Sequence, residues 1–248
     1  MVTEQKRLDV IANNLANSAT VGYKKEGVTS QSFDEHLAIK IRDASVDWRK
    51  EKIGTLSLGV KIGEVYTDYK DGSLRETGNT FDFAIDGDGF FAVSYTNKDG
   101  VTSTQYTRAG QFTVTNEGYV VDTDGNHLMA DGGFLQIPVD AGEVRVDLSG
   151  NVYADGEYID TITLTDFEDY DYLKKFGETR CFPVNGAREK EALGMIRQYY
   201  TEQSNVNVVS EMVNMITITR AYEAGQKVIQ TIDGTLEQAA NSIGRVSG

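Results

Sequence analysis

Two pairs of closely spaced carboxylates, Asp86 with Asp88 and Asp122 with Asp124, are the first residues whose type and spacing could do chemistry. Such pairs serve glycoside hydrolysis, where one acid protonates the leaving oxygen and the other acts as nucleophile or base, and they also serve calcium binding. The run DTDGNH starts as a calcium loop does, with Asp122, Asp124 and Asn126 at alternate positions. Its sixth residue, however, is His127 where glycine is needed, and its twelfth is Gly133 where a bidentate glutamate is needed. Asp-Gly and Gly-Asn steps between alternating apolar runs therefore read as hairpin turns. His127 could be a general base, but no serine or cysteine lies in a nucleophile motif, so it reads as an exposed turn histidine. Cys181 beside Arg180 could have a lowered pKa; CFPV reads better as a short apolar anchor. The glycines of DGDGF lack both the following helix and the Lys-Ser/Thr of a phosphate loop. The sequence thus offers no catalytic residue, no cofactor site and no metal ligand set. One cysteine excludes an internal disulfide, and with only His36 and His127 beside it a Cys/His zinc site is excluded too.

The elements that carry these residues fall into regions of different charge and period. The 248 residues have a formal net charge of −14, which argues against nucleic acid and anionic membrane surfaces as partners. Residues 1–80 hold 12 basic and 12 acidic side chains, residues 81–180 hold 6 and 19, and residues 181–248 hold 6 and 7. No run approaches the eighteen apolar residues of a membrane span, and the first residues lack the pattern of a cleavable signal peptide.

Leu8, Ile11 and Leu15 fall at helical spacing and predict a short amphipathic helix from Gln5 to Asn17, ended by Thr20, Gly22 and Tyr23. Residues 24–57 read as extended linker with a short helix or strand in it. Residues 58–200 read as an acidic, largely antiparallel β domain of short strands and glycine turns, with LKKF and GAREKEAL as brief helical turns. In the last region, 201–248, Val208, Met212, Met215, Thr219, Tyr222, Gln226, Ile229, Asp233, Leu236, Ala240 and Ile243 follow steps of four and three. That pattern predicts a helix of roughly 39 residues, about 58 Å long at 1.5 Å per residue, too long for the short N-terminal helix to cover. The expectation is packing against other chains.

Asn13, Asn14 and Asn17 are poor helix formers, and they allow two readings: local capping, which the physics favours, or amide bonds to neighbouring subunits. SNVNVV poses the same choice, with Ser204 or Asn205 as N-cap and Asn207 available for bonding across subunits.

Five stretches in order resemble the flagellar axial family, specifically the basal-body rod proteins related to the hook protein: DVIANNLAN with Thr20 and GYK, then DFAIDGDGFFAV, YTRAGQF and GYVVD, and last SNVNVVSEMVNMITITRAYEAGQKVIQTID. The resemblance implies a non-enzymatic α+β subunit whose terminal helices pair as a coiled coil in a hollow rod that transmits motor torque to the hook. Its partners would be copies of itself, other rod and hook proteins and the export apparatus, with no cofactor. It would reach the basal body through type III export without a cleaved signal. Carried onto this chain, the assembly interface would comprise Leu8, Ile11, Asn13, Asn14, Leu15, Asn17, Asn205, Asn207, Val208, Met212, Met215, Arg220, Tyr222, Ile229 and Leu236. Family members carry about a dozen residues before the position of Met1, and the wording KRLDVIANNLAN…GYKKEGVTSQSF leans toward the proximal rod type over the distal. The competing readings are a carboxylate-dependent glycosidase and a secreted β-rich surface binding module.

Overall fold

A computed structural model describes residues 2–32, 36–40, 51–56, 59–98 and 100–246. The class is α+β, as the sequence predicts: an N-terminal helix α1 (Val2–Ala16), many short strands that pair mostly antiparallel, and a C-terminal helix α2 (Val208–Val246) of 39 residues. The chain divides into two units, residues 1–13, 26–66 and 208–248 in one and residues 14–25 and 67–207 in the other.

The second unit is organised by the strand Phe90–Thr96, FFAVSYT. Successive side chains on a strand point to opposite faces, and both faces here are covered. Phe91 and Val93 enter one core with Phe83, Phe112, Leu128, Val152 and Ile196, whereas Phe90 and Ala92 enter a second with Tyr106, Phe167, Leu173 and Cys181. A continuous apolar run is what a strand buried on both sides requires. Aromatic edges pack within each core, with Phe91 to Phe112 at 5.4 Å in the first and Tyr106 to Phe167 at 4.9 Å in the second, between ring centroids. Along the main path the ten-stranded sheet runs in the order 173–176, 180–183, 102–107, 90–96, 127–130, 120–122, 112–114. The strand Leu164–Phe167 adds to 90–96 and carries Glu189–Glu191 on its other side.

Two turns repeat one design. Asp122 accepts from the backbone N–H groups of Asp124 and Asn126 and from the Asn126 amide, and Asp147 accepts in the same way from Ser149, Asn151 and the Asn151 amide. Gly125 and Gly150 hold the left-handed position, φ +86° and +88°. The calcium-like spelling is thus a side-chain-braced hairpin turn.

Two local expectations are corrected. LKKF and GAREKEAL are not helical turns: Leu173–Phe176 is a strand paired with Arg180–Pro183, Glu189–Glu191 is a strand too, and among the described residues of 58–200 helix is confined to a single 3₁₀ turn at Tyr170–Tyr172. Alternation of Leu173 and Lys175 against exposed partners carries the strand period, which the two adjacent lysines obscured. His127 is not an exposed turn residue. It opens the strand His127–Ala130, half-buried, stacked on Phe134 at 4.9 Å with the Tyr119 edge 5.2 Å away.

The first unit contains the strand pair Lys25–Ser32 with Val60–Asp68, in part, and the backbone hairpin His36–Lys40 with Glu51–Leu56. Strand thus occurs within residues 24–57, which the reading of a linker with a short helix or strand in it allows. Thr29 brackets Glu64 there, its hydroxyl donating to the Glu64 carbonyl and accepting the Glu64 N–H.

Two measurements follow. A Cβ at Gly110 would collide with the Phe83 carbonyl and disturb the Phe83 N–H to Gly110 C=O bond of 2.8 Å; Gly110→Ala is expected to lose about 2–4 kcal/mol in urea denaturation. Asp166 is the second case. Burial alone would raise its carboxyl pKa, but hydrogen bonds from Lys190, Tyr170 and the Phe167 N–H outweigh it and hold the group below the ordinary 3.8. A depressed folded pKa stabilises the fold above the unfolded value and loses that contribution as pH falls through the folded one. The stability gap between the wild type and Asp166→Asn should hold steady at neutral pH and close below about pH 4, as read by denaturation at each pH.

Candidate functional site: a buried ionic neck

The motifs GYK, DGDGF and YTRAG, far apart in sequence, meet within the second unit. Gly22 is required by contact and by conformation, since its φ is +70° and a Cβ would strike the backbone of Ala109. That close approach sets Tyr23 and Lys24 into the interior, 0% and 5% exposed. Tyr23 donates its hydroxyl to the Asn14 side-chain carbonyl, 3.0 Å, and the Lys175 ammonium stands 3.9 Å from its ring centroid. Arg108, 3% exposed, lies over the Phe90 ring and donates to the Gly87 carbonyl, so the glycine turn after Asp86 supplies an acceptor rather than a phosphate cradle.

Glu202 joins these pieces. Its side chain, 1% exposed, accepts from Lys24 Nζ at 2.7 Å, from the Gly72 N–H at 2.8 Å and from Arg108 Nη1 at 3.3 Å. Asp71 closes the rim, 3.2 Å from Arg108 and 4.0 Å from Lys24, with half of its side chain open to water. Two cations thus face two carboxylates, as burial of charge demands. Desolvation pulls the Lys24 pKa below its usual 10.5, with Glu202 opposing that pull and Arg108 reinforcing it. Backbone bonds run beside the charges: Gly22 N–H to the Glu202 carbonyl, 2.8 Å, and Gln203 N–H to the Ser73 carbonyl, 2.9 Å.

Asn205 is not the helix cap; α2 begins at Val208. Its amide donates to the carbonyls of Asp68 and Lys70, and its oxygen accepts the Lys25 N–H at 2.8 Å, so it spans the segment after α1 and the segment before α2. Asn14 and Asn17 are buried and bonded locally, to Tyr23 and to the Thr20 hydroxyl, while Asn13 and Asn207 are exposed. Of the apolar residues predicted for assembly, Ile11 is buried, Leu8, Leu15, Val208, Met215 and Tyr222 are half-buried, and Met212, Ile229 and Leu236 are 48%, 47% and 62% exposed. Arg220 is exposed as well. Sequence reasoning missed Lys24, Arg108 and Glu202. Lys24 and Arg108 are charged residues inside the glycine-bearing motifs GYK and YTRAG, and that mismatch was the available signal; Glu202 stands between Thr201 and Gln203 and carries none.

The residues weighed for catalysis occupy structural posts. Asp86 is ion-paired to Arg197 at 2.7 Å, and Asp88 is exposed. Asp122 is consumed by its turn. Burial pushes the Cys181 thiol up to about 12, making it a poor nucleophile, and its Sγ lies 3.4 Å from the Tyr106 carbonyl. Among the described residues no group of three or more His, Cys, Asp or Glu side chains could hold a metal ion, and no helix is long and apolar enough to cross a membrane.

A β region clasped where its chain enters and leaves, with a long helix whose apolar stripe lies open, defines a structural subunit of α+β class. Three segments match known families: residues 1–24 "Flagella basal body rod protein", residues 84–154 "Flagellar hook protein FlgE/F/G D1 domain", and residues 197–243 "Flagellar basal body rod FlgEFG protein C-terminal". The chain belongs to the flagellar basal-body rod family and is a structural rod subunit. Among its relatives, flagellar basal-body rod protein FlgG of Agrobacterium fabrum is 34% identical over 94% of this chain and 92% of its own length, and FlgG of Bacillus subtilis 32% over 96% and 93%. Flagellar basal-body rod protein FlgF of Mesorhizobium japonicum is 28% identical over 98% and 94%.

Removing one partner from a buried ion pair strands the other, whereas replacing both with apolar groups does not. Glu202→Gln is expected to cost about 3 kcal/mol and the double variant Lys24→Met/Glu202→Leu clearly less, as measured by urea denaturation of the full chain.

Proposed function

We propose that this subunit assembles with copies of itself and with other flagellar rod and hook proteins in the basal-body rod, without catalytic activity of its own. The assembly elements are residues 1–23 and 201–248, and the acidic β region of residues 58–200 is the part they carry. The observation that supports this most is the open stripe on α2, where Met212, Ile229 and Leu236 share the four-and-three spacing of a helix that packs against another helix. Val209, Val213, Ile216, Val228 and Ile232 widen it, all more than half exposed. Apolar area on this scale marks a surface meant for contact. In the rod, α1 and α2 would pair as a coiled coil within and between subunits. Type III export without a cleaved signal belongs to the same reading. The glycosidase and the surface binding module have no observation in their favour.

The test is complementation of a strain lacking this gene with the full chain carrying Met212→Glu, Ile229→Glu and Leu236→Glu. The β region should keep its wild-type unfolding transition, because the three side chains are exposed, while motility and rod completion are lost. Normal swarming by that variant would overturn the reading.

A further inference from the structure

The neck differs in kind from the rest of its unit. None of residues 20–25 or 199–206 belongs to either apolar core cluster. Val21 and Val206 are buried there, and Tyr200–Glu202 pairs as a strand with Leu74–Glu76, but the contacts that join the segments are mostly polar: Lys24 and Arg108 on Glu202, Asn205 on Lys25, Asp68 and Lys70, and the backbone bonds from Gly22 to Glu202 and from Gln203 to Ser73. Even Tyr23 is met on its face by an ammonium and at its hydroxyl by an amide. Water replaces such contacts well, because ions released from a buried pair regain their hydration, whereas exposing the Phe91 and Phe90 cores has no such compensation. The neck also joins residues 178 apart in sequence, a late contact by loop-closure entropy.

We propose that residues 22–25, 70–73 and 199–206 form one cooperative latch that opens as a unit while the two β cores stay closed. The charges make the opening all-or-none. Glu202 cannot leave without taking the one buried carboxylate from Lys24 and Arg108 together, which leaves them only the half-open Asp71, and the Gly72 N–H loses its acceptor in the same step. Asn205 adds the backbone of Lys25 to the same event. A latch of this sort makes the joining of the incoming and outgoing chain segments an equilibrium separate from the folding of the β region.

Native-state hydrogen exchange across a urea series, on the full chain, tests this. Four amides report the latch, those of Gly22, Lys25, Gly72 and Gln203, and two report the core, Phe83 bonded to Gly110 and Val120 bonded to Leu135. The four latch amides should share one opening with weak urea dependence, at least about ten-fold faster than the core amides, whose dependence should match global unfolding. Glu202→Gln should speed all four by one common factor, about a hundredfold, with their weak urea dependence retained, and Asn205→Ala should move the same four in step. If the latch amides follow the core's urea dependence, or if the four separate into different openings in the wild type or in Asn205→Ala, the proposal is wrong. Failure of Glu202→Gln to fold at all counts against it too, since a local latch does not carry the core.

Discussion

A carboxylate without water must have its charge answered, and Glu202 is answered by residues from two other parts of the chain. Lys24 comes from just after α1 and Arg108 from the end of a central strand. That single requirement explains why the motifs around it are spelled as they are. Gly22 lets the chain pass against Ala109 so that Lys24 reaches inward, and the turn at Gly87 presents a carbonyl to the far end of the Arg108 guanidinium. Motifs that look like independent markers along the sequence are parts of one clasp.

Burying an ion pair is a poor way to gain stability and a good way to define a geometry, since mispaired alternatives leave a charge stranded. The strand Phe90–Thr96, apolar on both faces, supplies the cohesion of the β region. The clasp supplies register: it fixes which residue after α1 stands beside which residue before α2, Gly22 with Glu202 and Lys25 with Asn205. Cohesion and register are thus assigned to different residues.

The large elements were legible because they rest on period. Steps of three and four gave α2 its 39 residues, and alternation between glycine turns gave the antiparallel β region. Strands of three or four residues such as LKKF escaped, since a run that short carries hardly one repeat of either period. His127 was misread because its neighbours in sequence are turn formers, while the ring it stacks on, Phe134, arrives from the next strand. The clasp was hidden for a related reason. Lys24 and Glu202 are ordinary surface residue types, and their burial is decided by a contact across 178 positions that no local window contains. The family resemblance located the right stretches without saying what joins them.

The open stripe of α2 has a consequence for supply. From Gln226 to Asn241 every described side chain but one is exposed, Gly234 being the exception, so helix there rests on little more than backbone propensity in a single chain. Were a partner to cover such a segment, its order would grow with the concentration of that partner. Its folding would then behave like a binding isotherm. The β region is held by its own two cores, and the last turns of this helix would be a titration whose endpoint is set by how many neighbours cover them.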